Sequence, residues 1–199
     1  PAISNNIITG NTTSSYGGGI GCSQSSPPIS NNTIAKNTAD KGGGGVYCSS
    51  ASPTMSGNIV AFNSSGLYKS GGTPSLCNNC VHNPAGANYT GISAGTGDIS
   101  QDPLFVNRTA GDYRLTASSP CIDAGYNAGV PVGILTDLDG RVRFFDDPAT
   151  ADCRWAPDTC GTAPIVDMGA YEFRPPPQVD LNHDGRVGAA DFDKFLAAF

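Results

Sequence analysis

Pro27-Pro-Ile-Ser-Asn-Asn-Thr-Ile-Ala-Lys-Asn37 is one of four versions of the same turn of sequence. In register with it stand Pro1-Ala-Ile-Ser-Asn-Asn6, Pro53-Thr-Met-Ser-Gly-Asn58 and Pro74-Ser-Leu-Cys-Asn-Asn79, so successive starts lie 26, 26 and 21 residues apart. Other positions keep the step: Ile8, Ile34, Val60 and Val81; Asn11, Asn37 and Asn63; Ile20 and Val46; Cys22 and Cys48. A period of this size means a solenoid, a propeller or a helical array. The unit is rich in Asn, Ser, Thr and Gly with isolated Ile and Val, which excludes stacked helices. Only Leu67 and Leu76 precede residue 100, too few for leucine-rich repeats. Ile20 and Cys22 alternate with Gly21, and Val46 and Cys48 with Tyr47, as in short strands with one face inward. Short strands, glycine corners and one extended unit per turn predict an all-β chain, a parallel β-helix. The asparagines suit it, because Asn tolerates left-handed corners and its amide bonds the same Asn one coil away. Asn6, Asn32, Asn58 and Asn79 are expected to form one such ladder. Gly17-Gly-Gly-Ile20 and Gly42-Gly-Gly-Gly-Val46 are expected to form a second corner.

The pattern Ile-Ser-Asn-Asn-x-Ile-x-x-Asn followed by Gly-Gly-Gly-Ile/Val resembles the right-handed parallel β-helices of the pectate-lyase-like superfamily. The resemblance covers roughly residues 1–94 and implies a fold rather than an activity.

The chain has 199 residues, 26 Gly and 14% charged side chains, enough for one elongated domain with appendages. A net charge of -6, from 16 Asp and one Glu against 11 basic residues, argues against a nucleic-acid backbone as partner. Only Lys36, Asp40, Lys41 and Lys69 carry charge in the first seventy residues, so the acid lies downstream. No apolar run of about 18 residues predicts a membrane span. Pro1 opens in register with the repeat, so the chain is expected to be the C-terminal part of a longer solenoid, and the missing signal peptide is uninformative.

Of seven cysteines, Cys22 and Cys48 are expected to stack in neighbouring coils about 4.8 Å apart, as small buried side chains or as a disulfide. Cys77-Asn-Asn-Cys80 has thioredoxin-like spacing but stands at the places of Ser56 and Ile59, without the βαβ context that a redox motif needs. Cys153 and Cys160 read as a local disulfide, and Cys121 has no evident partner. His82 and His183 are too far apart in sequence to suggest a zinc site.

The repeat gives out after His82. Asp-Pro-Leu-Phe105, Tyr-Arg-Leu115, Ser-Pro-Cys-Ile-Asp-Ala-Gly125, Asp-Leu-Asp-Gly-Arg141 and Asp-Met-Gly-Ala-Tyr-Glu172 follow, a tract suited to covering the open last coil. Together they are similar to the C-terminal module of secreted bacterial β-helix proteins of the choice-of-anchor Q type, over about residues 75–173. The resemblance implies a large extracellular or surface protein. Asp98, Asp102, Asp123, Asp137, Asp139, Asp167 and Glu172 tempt a glycosidase reading, which needs a pair of carboxylates. Each sits beside a turn-forming residue, where Asp caps a turn through its own backbone, and no spacing picks out an acid–base pair. A polysaccharide lyase would need a Lys or Arg base near an acid cluster, and Lys36 and Lys41 have only Asp40 close in sequence.

After the linker Arg174-Pro-Pro-Pro-Gln178 comes Asp180-Leu-Asn-His-Asp-Gly-Arg-Val-Gly-Ala-Ala-Asp191. Read as a twelve-residue calcium loop, Asp180, Asn182 and Asp184 fall at positions 1, 3 and 5 and Gly185 at the sharp turn. Arg186 offers its carbonyl at position 7 and Asp191 its carboxylate at position 12. Phe192, Phe195, Leu196 and Phe199 would line one face of the helix that follows. The segment 179–199 resembles the repeat of a dockerin, which implies Ca2+ binding and a cohesin-like partner. Dockerins ordinarily carry two such loops and this chain shows one.

The expected organisation is therefore β-helix coils over 1–94, a cap over 95–174, a linker over 175–179 and half an EF-hand over 180–199. The expected function is a secreted or cell-surface β-helix, non-catalytic in these residues, attached through calcium to a partner. The alternative is a fragment of a polysaccharide lyase or glycoside hydrolase with its catalytic coils upstream of Pro1.

Overall fold

A computed structural model describes residues 1–175; Asp180, Asn182, Asp184, Arg186 and Asp191 lie outside the described residues. Three parallel sheets surround one core. The first holds Ile3–Ser4, Ile29–Ser30, Thr54–Ser56 and Ser75–Cys77. The second holds Ile7–Thr9, Thr33–Ala35, Ile59–Ala61 and Cys80–His82. The third holds Ile20–Ser23, Val46–Ser49, Leu67–Lys69 and Tyr89–Thr90. The chain visits each sheet once per turn and pairs in parallel with the next turn, which makes it a parallel β-helix.

The sequence alignment is the structural register. Ile3, Ile29, Met55 and Leu76 form one column, Ile8, Ile34, Val60 and Val81 a second, and Ile20, Val46, Leu67 and Tyr89 a third. These columns meet in one cluster, with Ile29, Ile34 and Val81 fully buried. Burying each such side chain contributes about 1.5–3 kcal/mol.

The corners divide the labour between neighbouring residues. Asn5, Asn31, Gly57 and Asn78 take the left-handed conformation, with φ of 58°, 52°, 62° and 52°. The residue after each builds the ladder. Asn6 Nδ2 donates to Asn32 Oδ1 at 3.1 Å, Asn32 to Asn58 at 3.0 Å and Asn58 to Asn79 at 2.9 Å. Asp98 extends the series by accepting from Asn79 Nδ2 at 2.9 Å. A second ladder runs through Asn11, Asn37, Asn63 and Asn83.

The shorter third step has a local origin. Asn37 and Val46 are separated by a corner that carries Thr38–Ala39, paired with Thr12–Thr13 of the coil before. The corresponding corner runs only from Asn63 to Leu67. Ser64 and Ser65 compensate: their hydroxyls accept from the Ala39 and Gly44 amides, each at 3.0 Å.

Residues 95–99 continue the stack on the last coil, where Thr96 bridges to Cys77 and Ile99 to Cys80. The rest of the C-terminal tract turns back along the flank. Its hairpin, Phe105–Asn107 with Asp112–Leu115, and its turns pack on the outer face of the second sheet. Ile59, Ala61 and Cys80 meet Leu115, Cys121, Ile122 and Met168 there. A strand apolar on both faces, such as Ile59–Ala61, is what this double burial requires. The flank reaches the first coil, where Tyr113 Oη and Thr9 Oγ1 lie 2.7 Å apart.

Candidate functional site

The acidic residues singled out in the sequence lie in turns of the last coil, at Asp98, and of the flank. Asp98 Oδ2 accepts from the Gly95 amide and the Tyr89 hydroxyl, and Asp102 Oδ1 accepts from the Leu104 amide. Burial and the neighbouring Asp98 push the Tyr89 phenol up from its ordinary value. Asp137 closes its turn by accepting from the Asp139 and Arg141 amides, and its other oxygen accepts from the Glu172 amide. Asp139 occupies that same turn.

At the centre lies Arg143, with no exposed surface. Its Nη2 donates to the Asp167 and Gly169 carbonyls, and its Nε lies 3.1 Å from Glu172 Oε1. Asp167 accepts from the Asp123 and Phe173 amides, and Glu172 accepts from the Asp167 amide. Each carboxylate here thus answers a backbone donor, and one guanidinium joins the Glu172 carboxyl group to two backbone carbonyls. Burial raises the Glu172 carboxyl well above its ordinary value, Asp167 adds to the shift, and Arg143 opposes it. Burial raises Asp167 to about 7. Burial, with Asp167 as the next cause, raises Asp123 to about 8.

A stability profile follows with a definite sign. These three groups hold protons in the folded chain at pH values where the unfolded chain, with carboxyls near 4, has released them. Stability therefore falls as pH rises from about 5 to about 8. Thermal melts in chelator are expected to give a melting temperature about 5–10 °C lower at pH 8 than at pH 5. A flat or rising profile would contradict these assignments.

The cysteines sort as follows. Cys153 and Cys160 form a disulfide with Cα atoms 5.7 Å apart. Cys22 and Cys48 stack in register as buried free thiols, the Cys22 thiol lowered to about 7 by its hydrogen bond with Cys48. Cys77 and Cys80 do not act as a pair. Cys80 is buried between the second sheet and the flank, where its hydrogen bond with Cys121 and burial push the thiol up. Cys77 lines a cleft of about 550 Å³ between Ser30 and Ser56 of the first sheet and Tyr126 and Gly129 of the flank. Burial raises the Cys77 thiol too, so it is not a ready thiolate.

A feature that sequence reading missed lies on the third sheet. Tyr16, Tyr47 and Tyr68 gather with ring centroids 4.6, 5.5 and 5.5 Å apart and planes within 29° of one another. Tyr47 and Tyr68 are register partners, whereas Tyr16 comes from the preceding corner. Tyr47's partner in the coil below is Gly21, which has no side chain. The result is a surface patch of near-parallel rings, with Tyr16 exposed and Tyr47 and Tyr68 half-buried. Lys36 takes a left-handed corner and shares a second cleft with Phe62, Pro84 and Arg108, whose described lining carries no carboxylate. Arg108 stacks 3.7 Å above the Phe62 ring.

A family model described as disaggregatase related matches residues 65–125, less than a third of the chain. The matched segment runs from the end of the third coil into the flank, through the junction of solenoid and cover. No curated protein and no solved structure matches the chain. Among the described residues no helix is long and apolar enough to cross a membrane.

Proposed function

We propose that this chain is a secreted or cell-surface β-helix, non-catalytic within these residues, attached to a cohesin-like partner through a calcium loop at Asp180, Asn182, Asp184, Arg186 and Asp191. The observation that supports the non-catalytic part is the use made of the carboxylates. Asp98, Asp102, Asp137, Asp167 and Glu172 each accept from a backbone amide that would otherwise lack a partner. A carboxylate committed in this way is a poor proton carrier, since moving its proton disturbs the turn it closes. The Cys153–Cys160 bridge is in keeping with an oxidising compartment. The spacing of the 180–191 loop supports the calcium part.

A second reading, part of a polysaccharide-active protein, draws on the tyrosine patch. The rings stack on one another at 4.6–5.5 Å, so the patch offers ring edges and an outer face against which the apolar face of a sugar ring can pack. In that reading the coils offer a contact surface and the chemistry lies elsewhere in the protein.

Isothermal calcium titration of the whole chain beside an Asp180→Ala/Asp184→Ala variant tests the loop. The variant is expected to lose one binding site, and capture by a cohesin-like protein is expected to vanish in chelator. Equal stoichiometry in the two proteins would remove the loop from the proposal.

A further inference from the structure

Asp123 from one turn of the flank and Asp146 and Asp152 from the two ends of a second loop bring carboxylate oxygens within 4.8 Å of one another. We infer that these three residues hold a divalent cation of the calcium type, at a site independent of the 180–191 loop.

The observation that carries this is at Asp123. Its residue surface is 1% exposed and its Oδ2 accepts from the Asp147 amide at 3.2 Å, while its buried Oδ1 has no hydrogen-bond partner. A buried carboxylate oxygen without a donor is costly, and the carboxyl group that carries it has two more carboxylates beside it. Nearby Asp147 is not a rival ligand, because its own oxygens close a turn with the Ala149 amide and the Thr150 hydroxyl.

The geometry fits one ion. Two oxygens bound to the same calcium at about 2.3–2.6 Å are at most about 5 Å apart, the separation seen across the three carboxylates. The donors are all oxygen, which favours a hard cation over zinc or copper. Asp146 and Asp152 are exposed, so the ion has an entry path, and water can complete a shell of six to eight.

The segments are held in place independently of a ligand. The Cys153 amide donates to the Asp123 carbonyl at 2.9 Å, and the Cys153–Cys160 bridge closes the loop that follows Asp152. Asp123 itself sits in the left-handed conformation with φ of 48°, its amide held by Asp167. A bound ion would tie the 146–152 loop to the Ser-Pro-Cys-Ile-Asp-Ala-Gly125 turn, which packs on the second sheet.

The test uses the whole chain with the tail loop silenced by Asp180→Ala/Asp184→Ala, so that this site and the tail are read separately. Calcium chloride is titrated into chelated protein by calorimetry, and thermal melts are taken with and without calcium. The expected result is one bound ion and a melting temperature raised by about 5–10 °C at a calcium concentration 100 times the dissociation constant. Adding Asp146→Asn/Asp152→Asn, both at exposed positions, is expected to weaken binding at least tenfold and to abolish the calcium-dependent rise. The same variant melts no lower than its parent in chelator, because it removes like-charge repulsion. Absence of binding in the tail-silenced chain overturns the inference, leaving a proton on Asp123 as the occupant. So does binding that survives Asp146→Asn/Asp152→Asn. If the chain with both segments intact binds one ion and loses it only with Asp146→Asn/Asp152→Asn, this site stands and the tail assignment fails.

Discussion

Asn58→Ala is expected to destabilise the chain by about 4 kcal/mol, lowering its melting temperature by roughly 8–16 °C. Asn58 is 1% exposed and works in both directions along the ladder. Its Oδ1 accepts from the Asn32 amide at 3.1 Å and from Asn32 Nδ2 at 3.0 Å. Its Nδ2 donates to the Ile29 carbonyl at 2.8 Å and to Asn79 Oδ1 at 2.9 Å. Alanine removes these contacts, and the backbone donor left behind in the interior costs about 1–3 kcal/mol alone. Asn6, at the exposed end of the same ladder, gives an internal comparison. Asn6→Ala is expected to cost under about 1 kcal/mol, since water replaces the lost partners. Thermal unfolding followed by circular dichroism reads both. Equal losses would mean that the ladder is worth the same wet or dry, against the argument made for it.

The second large effect belongs to Arg143→Met. Once the Glu172 carboxyl has ionised at alkaline pH, removing one partner of this buried pair leaves the other charge uncompensated, at a cost of about 3–5 kcal/mol. Arg143 and the Glu172 side chain are both fully buried, and the guanidinium also donates to two backbone carbonyls. Glu172→Gln added to Arg143→Met is expected to recover part of the loss, with a coupling of about 0.5–3 kcal/mol. The loss is also expected to shrink at pH 5, because burial has already raised the Glu172 and Asp167 carboxyls. A double variant no more stable than Arg143→Met, at either pH, would mean that Arg143 acts by packing and backbone hydrogen bonds alone.

Parallel in-register stacking makes the solenoid unusually legible. Each residue meets its own equivalent one coil on, so Ile8, Ile34, Val60 and Val81 align in space because they align in sequence. The ladder of Asn6, Asn32, Asn58 and Asn79 could be written down from the repeat for the same reason. Its continuation at Asp98 could not, because the step drops to 19 and the residue changes type. Tyr16 escaped notice because it joins Tyr47 and Tyr68 from a different place in its coil. The flank is harder still. Thr9 meets Tyr113 across 104 residues, and no periodicity announces such a contact. The turn signals around Asp137, Asp167 and Glu172 marked caps, and each of the three does accept backbone amides, but they gave no hint of Arg143 at their centre. Asp146 and Asp152 lie in an aperiodic loop, and only the fold brings them to Asp123.

The corner between Asn63 and Leu67 has a practical side. The ladder step falls from 26 to 21 residues there, yet Asn63 still bonds Asn37 and Leu67 still pairs with Val46. Two serine hydroxyls and the backbone bonds of Ser64 to Asn37 and of Gly45 to Ser65 cap the neighbouring turn at the shortened bend. A position where length changes without shifting the register on either side is a natural grafting point. A foreign peptide spliced between Ser64 and Ser65 should be presented on the outside of a rigid rod, with the rod itself unchanged.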